Sequence, residues 1–130
     1  MIVDDQVTFR GAARRLLEAR GYDVVAEAES AARALDAVER HEPHAVLLDV
    51  RLGDEDGFTV CDVLIRARPG LAVLLVSATD EFEHAEDLAR SGARGFVPKS
   101  RLAHTDLAQF WPAGLSPGQP SRNISAALTR

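Results

Sequence analysis

Apolar runs of strand length alternate with amphipathic stretches of helix length along this 130-residue chain. The runs are Ile2-Val3 and residues 23–26 (DVVA), 45–50 (AVLLDV), 71–77 (LAVLLVS) and 95–97 (GFV). The third and fourth are apolar without alternation, which suits strands covered on both faces, as in a parallel sheet. Helical spacing runs over 7–20, with Leu16 and Leu17 turned inward and Gly21 as a stop, and over 30–41, from an N-cap at Ser30 to the turn ahead of Pro43. It returns over 59–68, ending before Pro69-Gly70; over 81–91, acidic at its start and closed by Gly92; and over 104–111, ended by Pro112. Five βα units in succession predict a doubly wound α/β fold, a five-stranded parallel sheet with helices on both faces.

From Pro112 the texture changes to Pro, Gly and Ser, so residues 1–111 are expected to form one domain and 112–130 a linker or tail. Apolar residues at 46% and charged residues at 27% are ordinary for a soluble globular chain, which at this length can bury a core without staples. The net charge of -5, with no basic stripe, argues against nucleic acid as a direct partner. Cys61 is the only cysteine, which excludes an intramolecular disulfide and fits a reducing compartment. Lying among Val60, Val63 and Leu64, it reads as a small core residue rather than a redox thiol. No apolar window is long enough to span a membrane and no signal peptide opens the chain, so a cytoplasmic location is expected.

Candidate chemistry appears when the ends of the apolar runs are read together, because open parallel sheets bind ligands at the carboxyl ends of their strands. The first run ends in Asp4-Asp5, the third in Asp49, the fourth in Ser77-Ala78, and the fifth near Lys99. Oxygen ligands with room for water suit Mg²⁺, which often bridges carboxylate to phosphate. Lys99 would offset phosphate charge, Ser77 could donate to a phosphoryl oxygen, and Asp49 could act as a nucleophile forming an acyl phosphate. Alone, Asp5 reads equally well as a helix N-cap and Lys99 as a solvated charge. Asp49 is harder to dismiss, since a carboxylate closing the run Ala45-Val46-Leu47-Leu48 is partly desolvated and needs a partner.

Over residues 1–111 the chain resembles a response-regulator receiver domain, the phosphoacceptor half of two-component signalling. The resemblance rests on the acid pair Asp4-Asp5, the segment DVRLGDEDG from Asp49 to Gly57, Ser77-Ala78, Lys99, and Phe96 three residues before it. It implies a flavodoxin-like sheet of order 2-1-3-4-5 flanked by five helices. It further implies that Asp49 takes a phosphoryl group from a sensor histidine kinase or phosphotransfer protein. Mg²⁺ would be held by Asp5, Asp49 and the backbone carbonyl of Arg51, and by Asp4 largely through water. The phosphoryl oxygens would be bound by Ser77, the backbone of Ala78 and Lys99. Movement of Ser77 would let Phe96 turn inward and alter the surface of the fourth helix, fifth strand and fifth helix. An output domain or a homodimer partner would engage that surface. The chain is then a signalling phosphoacceptor that promotes its own phosphorylation and dephosphorylation rather than an enzyme acting on others.

Departures from the family pattern sharpen these expectations. Gly53 stands where many members carry proline, and Ser100 follows Lys99 where many place another. Arg51 and Thr79 occupy the two variable positions that tune phosphorylation and hydrolysis; Arg51 could meet incoming phosphate or pair with Asp54 or Glu55. The first strand is cut to Met1-Ile2-Val3 although it should lie centrally, so the chain is expected to begin a few residues late. Nineteen residues follow Trp111, too few for a helix-turn-helix domain. The expectation is therefore a stand-alone receiver, a short variant, or a receiver cut from a longer regulator. The style of RLGDEDGF and FVPKS leans toward receivers coupled to DNA-binding outputs, hence to transcription regulation.

A haloacid-dehalogenase-type phosphatase needs an acid two residues after its nucleophile, and that position is Arg51. A nucleotide-binding module would place glycines or hydroxyls after the first strand, where two carboxylates would repel phosphate. A pseudo-receiver would keep the fold as a protein-interaction module without phosphorylation; the intact set Asp5, Asp49, Ser77 and Lys99 argues against it.

Overall fold

The computed structural model describes residues 1–79 and 85–111. The expected tail 112–130, and the start of the helix expected over 81–91, lie outside the described residues. In chain order the elements are β1 (Ile2–Val3), α1 (Val7–Ala19), β2 (Glu27–Ala28), α2 (Ala31–His41) and β3 (Ala45–Asp49). A small hairpin follows, β4 (Arg51–Leu52) and β5 (Glu55–Asp56), then α3 (Gly57–Ala67), β6 (Ala72–Ser77), α4 (Ala85–Ser91) and β7 (Gly95–Pro98). Two 3₁₀ helices, Lys99–His104 and Leu107–Gln109, close the domain.

The main sheet has the order β2-β1-β3-β6-β7 with every pairing parallel. With the hairpin set aside this is the expected order 2-1-3-4-5. Strand order reverses at β1, whose Ile2 and Val3 pair with Glu27 and Ala28 on one side and Leu47 and Leu48 on the other. The unbroken apolar runs have a direct packing cause. Val46, Leu48, Val73 and Leu75 face one core with Ala34, Val38, Val60 and Leu64 of α2 and α3. Leu47, Leu74 and Val76 face a second core with Ala13 and Leu17 of α1 and Leu102, Leu107 and Trp111. Both faces of β3 and β6 are therefore dry, and each buried leucine or valine side chain contributes on the order of 2 kcal/mol.

The helix termini follow local chemistry. Ser30 accepts the Arg33 N–H through its side chain at 3.2 Å, as an N-cap should. Gly21, with φ +88°, ends α1 in a conformation that costs other residues a Cβ clash. Two expectations need correction. The second strand was expected over 23–26, yet the ladder holds only Glu27–Ala28, because a parallel ladder needs a neighbour and the two residues of β1 reach no further. The last helix, expected over 104–111, is instead two 3₁₀ helices joined by extended Thr105. The Thr105 hydroxyl donates back to the Arg101 carbonyl at 2.8 Å and Asp106 accepts the Ala108 N–H at 3.1 Å. Such local bonds compete with a regular helix. Arg20, at the end of α1, donates to the carbonyls of Thr105 and Ala103, which ties this segment to the C-terminal end of α1.

Candidate functional site

The carboxyl ends of the central strands bring the acids together. Asp4 continues β1, its N–H donating to the Ala28 carbonyl at 3.0 Å, and its side chain is fully buried. Its Oδ1 accepts the Gln6 N–H at 2.8 Å, a local bond that turns the chain from strand into helix. Its Oδ2 has no hydrogen bond of good geometry and is answered by the Lys99 ammonium at 2.7 Å as an ion pair. Asp5, next in the chain, is exposed to the cleft.

Asp49 ends β3 and is 6% exposed. Its Oδ1 accepts the Arg51 N–H at 3.2 Å, and Lys99 Nζ donates to its Oδ2 at 3.4 Å. Burial pushes the Asp49 carboxyl up to about 6, and the Asp4 carboxylate adds to the rise, while the Arg51 N–H and the Lys99 ammonium favour the ionised form. Gly57 holds the start of α3 tight beneath this corner, its N–H donating to the Val50 carbonyl at 2.6 Å. A Cβ there would sit 2.3 Å from the Asp49 carbonyl oxygen and 2.6 Å from Val50 Cα. Only glycine fits.

Lys99 follows β7 and reaches back across the sheet edge with 14% of its side chain exposed. Besides the two carboxylates it meets the Phe9 ring of α1, 4.2 Å from the centroid, a cation–π contact. On the far wall the Ser77 hydroxyl accepts the Thr79 N–H at 3.2 Å and lies 3.3 Å from Thr79 Oγ1. Ala78 is exposed beside it, and Asp5, Asp49, Arg51, Ser77 and Lys99 line one open cleft. A separate cavity under Tyr22 and Trp111, mostly apolar, contains none of these groups.

Asp4, Asp5 and Asp49 each offer a carboxylate oxygen, all within 4.8 Å of one another. An all-oxygen set opening onto water fits a hard divalent cation. Phe96 lies in β7, half-buried against the core on the α2 and α3 face and outside the lining of the cleft. Arg51 is exposed, and among the described residues no ion pair joins it to Asp54 or Glu55; Glu55 instead accepts the Ala31 N–H at 3.0 Å. Phe9 was not among the expected site residues. No local pattern marks it, because Asp5 precedes α1, which begins at Val7, and the ring meets Lys99 only through the way the helix packs on the sheet.

Comparison with known proteins agrees with this geometry. The family model of the response regulator receiver domain matches residues 1–109. The chain is 29% identical over 99 residues to the chemotaxis protein CheY of Bacillus subtilis (strain 168), covering 76% of this chain and 82% of that one. It is 35% identical over 104 residues to protein-glutamate methylesterase/protein-glutamine glutaminase 2 of Shewanella sp. (strain MR-7). That match covers 78% of this chain but only 30% of the relative's length. The crystal structure of the receiver domain of NtrX from Brucella abortus superposes with a TM-score of 0.72 at 30% identity, covering 79% of this chain and 87% of that one.

Proposed function

The chain belongs to the response regulator receiver domain family, and from that premise we propose that Asp49 accepts a phosphoryl group from the phosphohistidine of a sensor kinase or phosphotransfer protein. The observation that carries this reading is the single ammonium of Lys99 set against both Asp4 and Asp49 where three carboxylates converge. An Asp49 oxygen attacks phosphorus, the N–P bond of the donor imidazole breaks, and an acyl phosphate forms while the imidazole leaves. Asp49 must be ionised to attack. With its carboxyl near 6, most of it is so at pH 7.

Asp5, Asp49, the Arg51 carbonyl and, through water, Asp4 are the groups that would hold Mg²⁺, which when bound offsets the charge of carboxylate and phosphoryl oxygens. Lys99 then exchanges its bond to Asp49 for one to a phosphoryl oxygen. Ser77 turns from Thr79 to a second oxygen, and the Ala78 N–H meets a third. The space Ser77 leaves is taken by Phe96 turning inward, which changes the surface of α4, β7 and the 3₁₀ segment offered to an output domain or a second copy. Arg51 and Thr79, at the rim, tune the lifetime of the phosphoryl group. This chemistry belongs in the cytoplasm, where kinase and phosphodonor are found; among the described residues no helix is long and apolar enough to cross a membrane.

The competing reading is a pseudo-receiver that keeps the fold without the chemistry. Titration with beryllofluoride and Mg²⁺, followed by amide NMR, separates the two. A working site shifts the resonances of Ser77, Phe96 and Lys99 together; a spectrum unmoved at those residues means an interaction module instead.

A further inference from the structure

We infer that Arg10 is a positioning residue for the acid pair, fixing the peptide between Asp4 and Asp5 so that Asp5 meets a divalent cation at the right angle. This rests on the cation reading given above. Arg10 sits one turn into α1 with only 16% of its side chain exposed. One guanidinium nitrogen, Nη1, donates to the Asp4 carbonyl at 2.7 Å while Nε donates to Glu27 Oε1 at 3.1 Å. Three elements are thereby tied at one point: the end of β1, the first turn of α1, and edge strand β2.

The bond matters because of what holds the two acids. Asp4 is buried, with Gln6 and Lys99 on its carboxylate. Asp5 is exposed, and among the described residues no side-chain partner holds its carboxylate. The backbone therefore sets where its Cβ points and which rotamers reach the cleft, and that backbone follows the Asp4–Asp5 peptide plane that Arg10 grips. A planar fork can hold two acceptors at fixed angles, whereas a lysine ammonium acts as a point charge. Groups of this kind, one shell outside the metal ligands, commonly affect affinity by an order of magnitude or more.

Arg14 supplies the control. It pairs with the other oxygen of the same Glu27 at 2.7 Å, from the same face of the same helix, yet makes no bond to Asp4. Electrostatics and positioning also predict opposite signs. Removing a cation beside an acidic site should tighten Mg²⁺ binding by charge alone. Removing a positioning fork should weaken it.

The test is a Mg²⁺ titration of the full chain by amide NMR shifts, a readout independent of phosphorylation, on the unsubstituted chain and on Arg10→Gln, Arg10→Lys and Arg14→Gln. Arg10→Gln is expected to raise the Mg²⁺ dissociation constant about tenfold. Arg10→Lys, which keeps the charge and is the gentler change for folding, should weaken binding in the same direction because one ammonium cannot span both acceptors. Arg14→Gln should bind no more weakly than the unsubstituted chain. Tighter or unchanged binding in either Arg10 variant, or equal weakening in Arg14→Gln, overturns the inference. No Mg²⁺ response from the unsubstituted chain removes the cation reading itself, and the inference with it.

Discussion

Burial raises the Asp49 carboxyl from an ordinary 3.8 to about 6, so the folded chain holds a proton there over a pH range in which the unfolded chain does not. The sign follows by linkage: the stability contributed by this group is complete below about pH 4 and is lost as the pH climbs through about 6. Asp49→Asn carries no such charge. In a chelating buffer its thermal midpoint is expected to exceed that of the unsubstituted chain above pH 6, with the gap closing toward pH 4. A gap that is constant from pH 4 to pH 8 would show that the carboxyl is not raised. At this scale most of the candidate site is legible in the sequence, because Asp4, Asp5, Asp49, Ser77 and Lys99 stand at the ends of apolar runs and carry chemistry unusual for such places. Phe9 and Arg10 are not. A ring over Lys99 and a fork on the Asp4 carbonyl depend on how α1 rotates onto the sheet, which the local pattern leaves open.

Among the elements, β3 and β6 were the easiest to anticipate, since strands dry on both faces cannot be written with polar positions. The hairpin β4–β5 was missed because RLGDED contains no alternating apolar run; its turn depends on Gly53 at φ +62° and on register with Asp56 and Glu55, and Leu52 alone anchors it in the core. The last helix failed for a related reason. Its apolar residues Leu107 and Trp111 are buried as a helix would bury them, but the side-chain bonds of Thr105 and Asp106 break the backbone into shorter 3₁₀ turns. The junction of β3, hairpin and α3 carries a prediction of its own. Gly57→Ala forces a methyl against Asp49 and Val50 backbone atoms, which cannot swing aside as a side chain would. The loss should be on the order of 3 kcal/mol in denaturant unfolding. A variant within 0.5 kcal/mol, the ordinary scatter of surface changes, would mean that the corner relaxes freely.

For the molecule as a whole, the doubly wound order places β1 between β2 and β3, so the acids of β1 and β3 lie side by side and Lys99 reaches both from the end of edge strand β7. The topology, more than any one residue, gathers the proposed phosphoacceptor site from groups far apart in the chain. Within that site Asp49 is the proposed acceptor. The direct measurement is intact-mass spectrometry after incubation with a small phosphodonor and Mg²⁺, on the unsubstituted chain and on Asp49→Ala. One added phosphoryl group on the first and none on the second is the predicted result. Equal labelling of both, or no labelling of the unsubstituted chain, would contradict it.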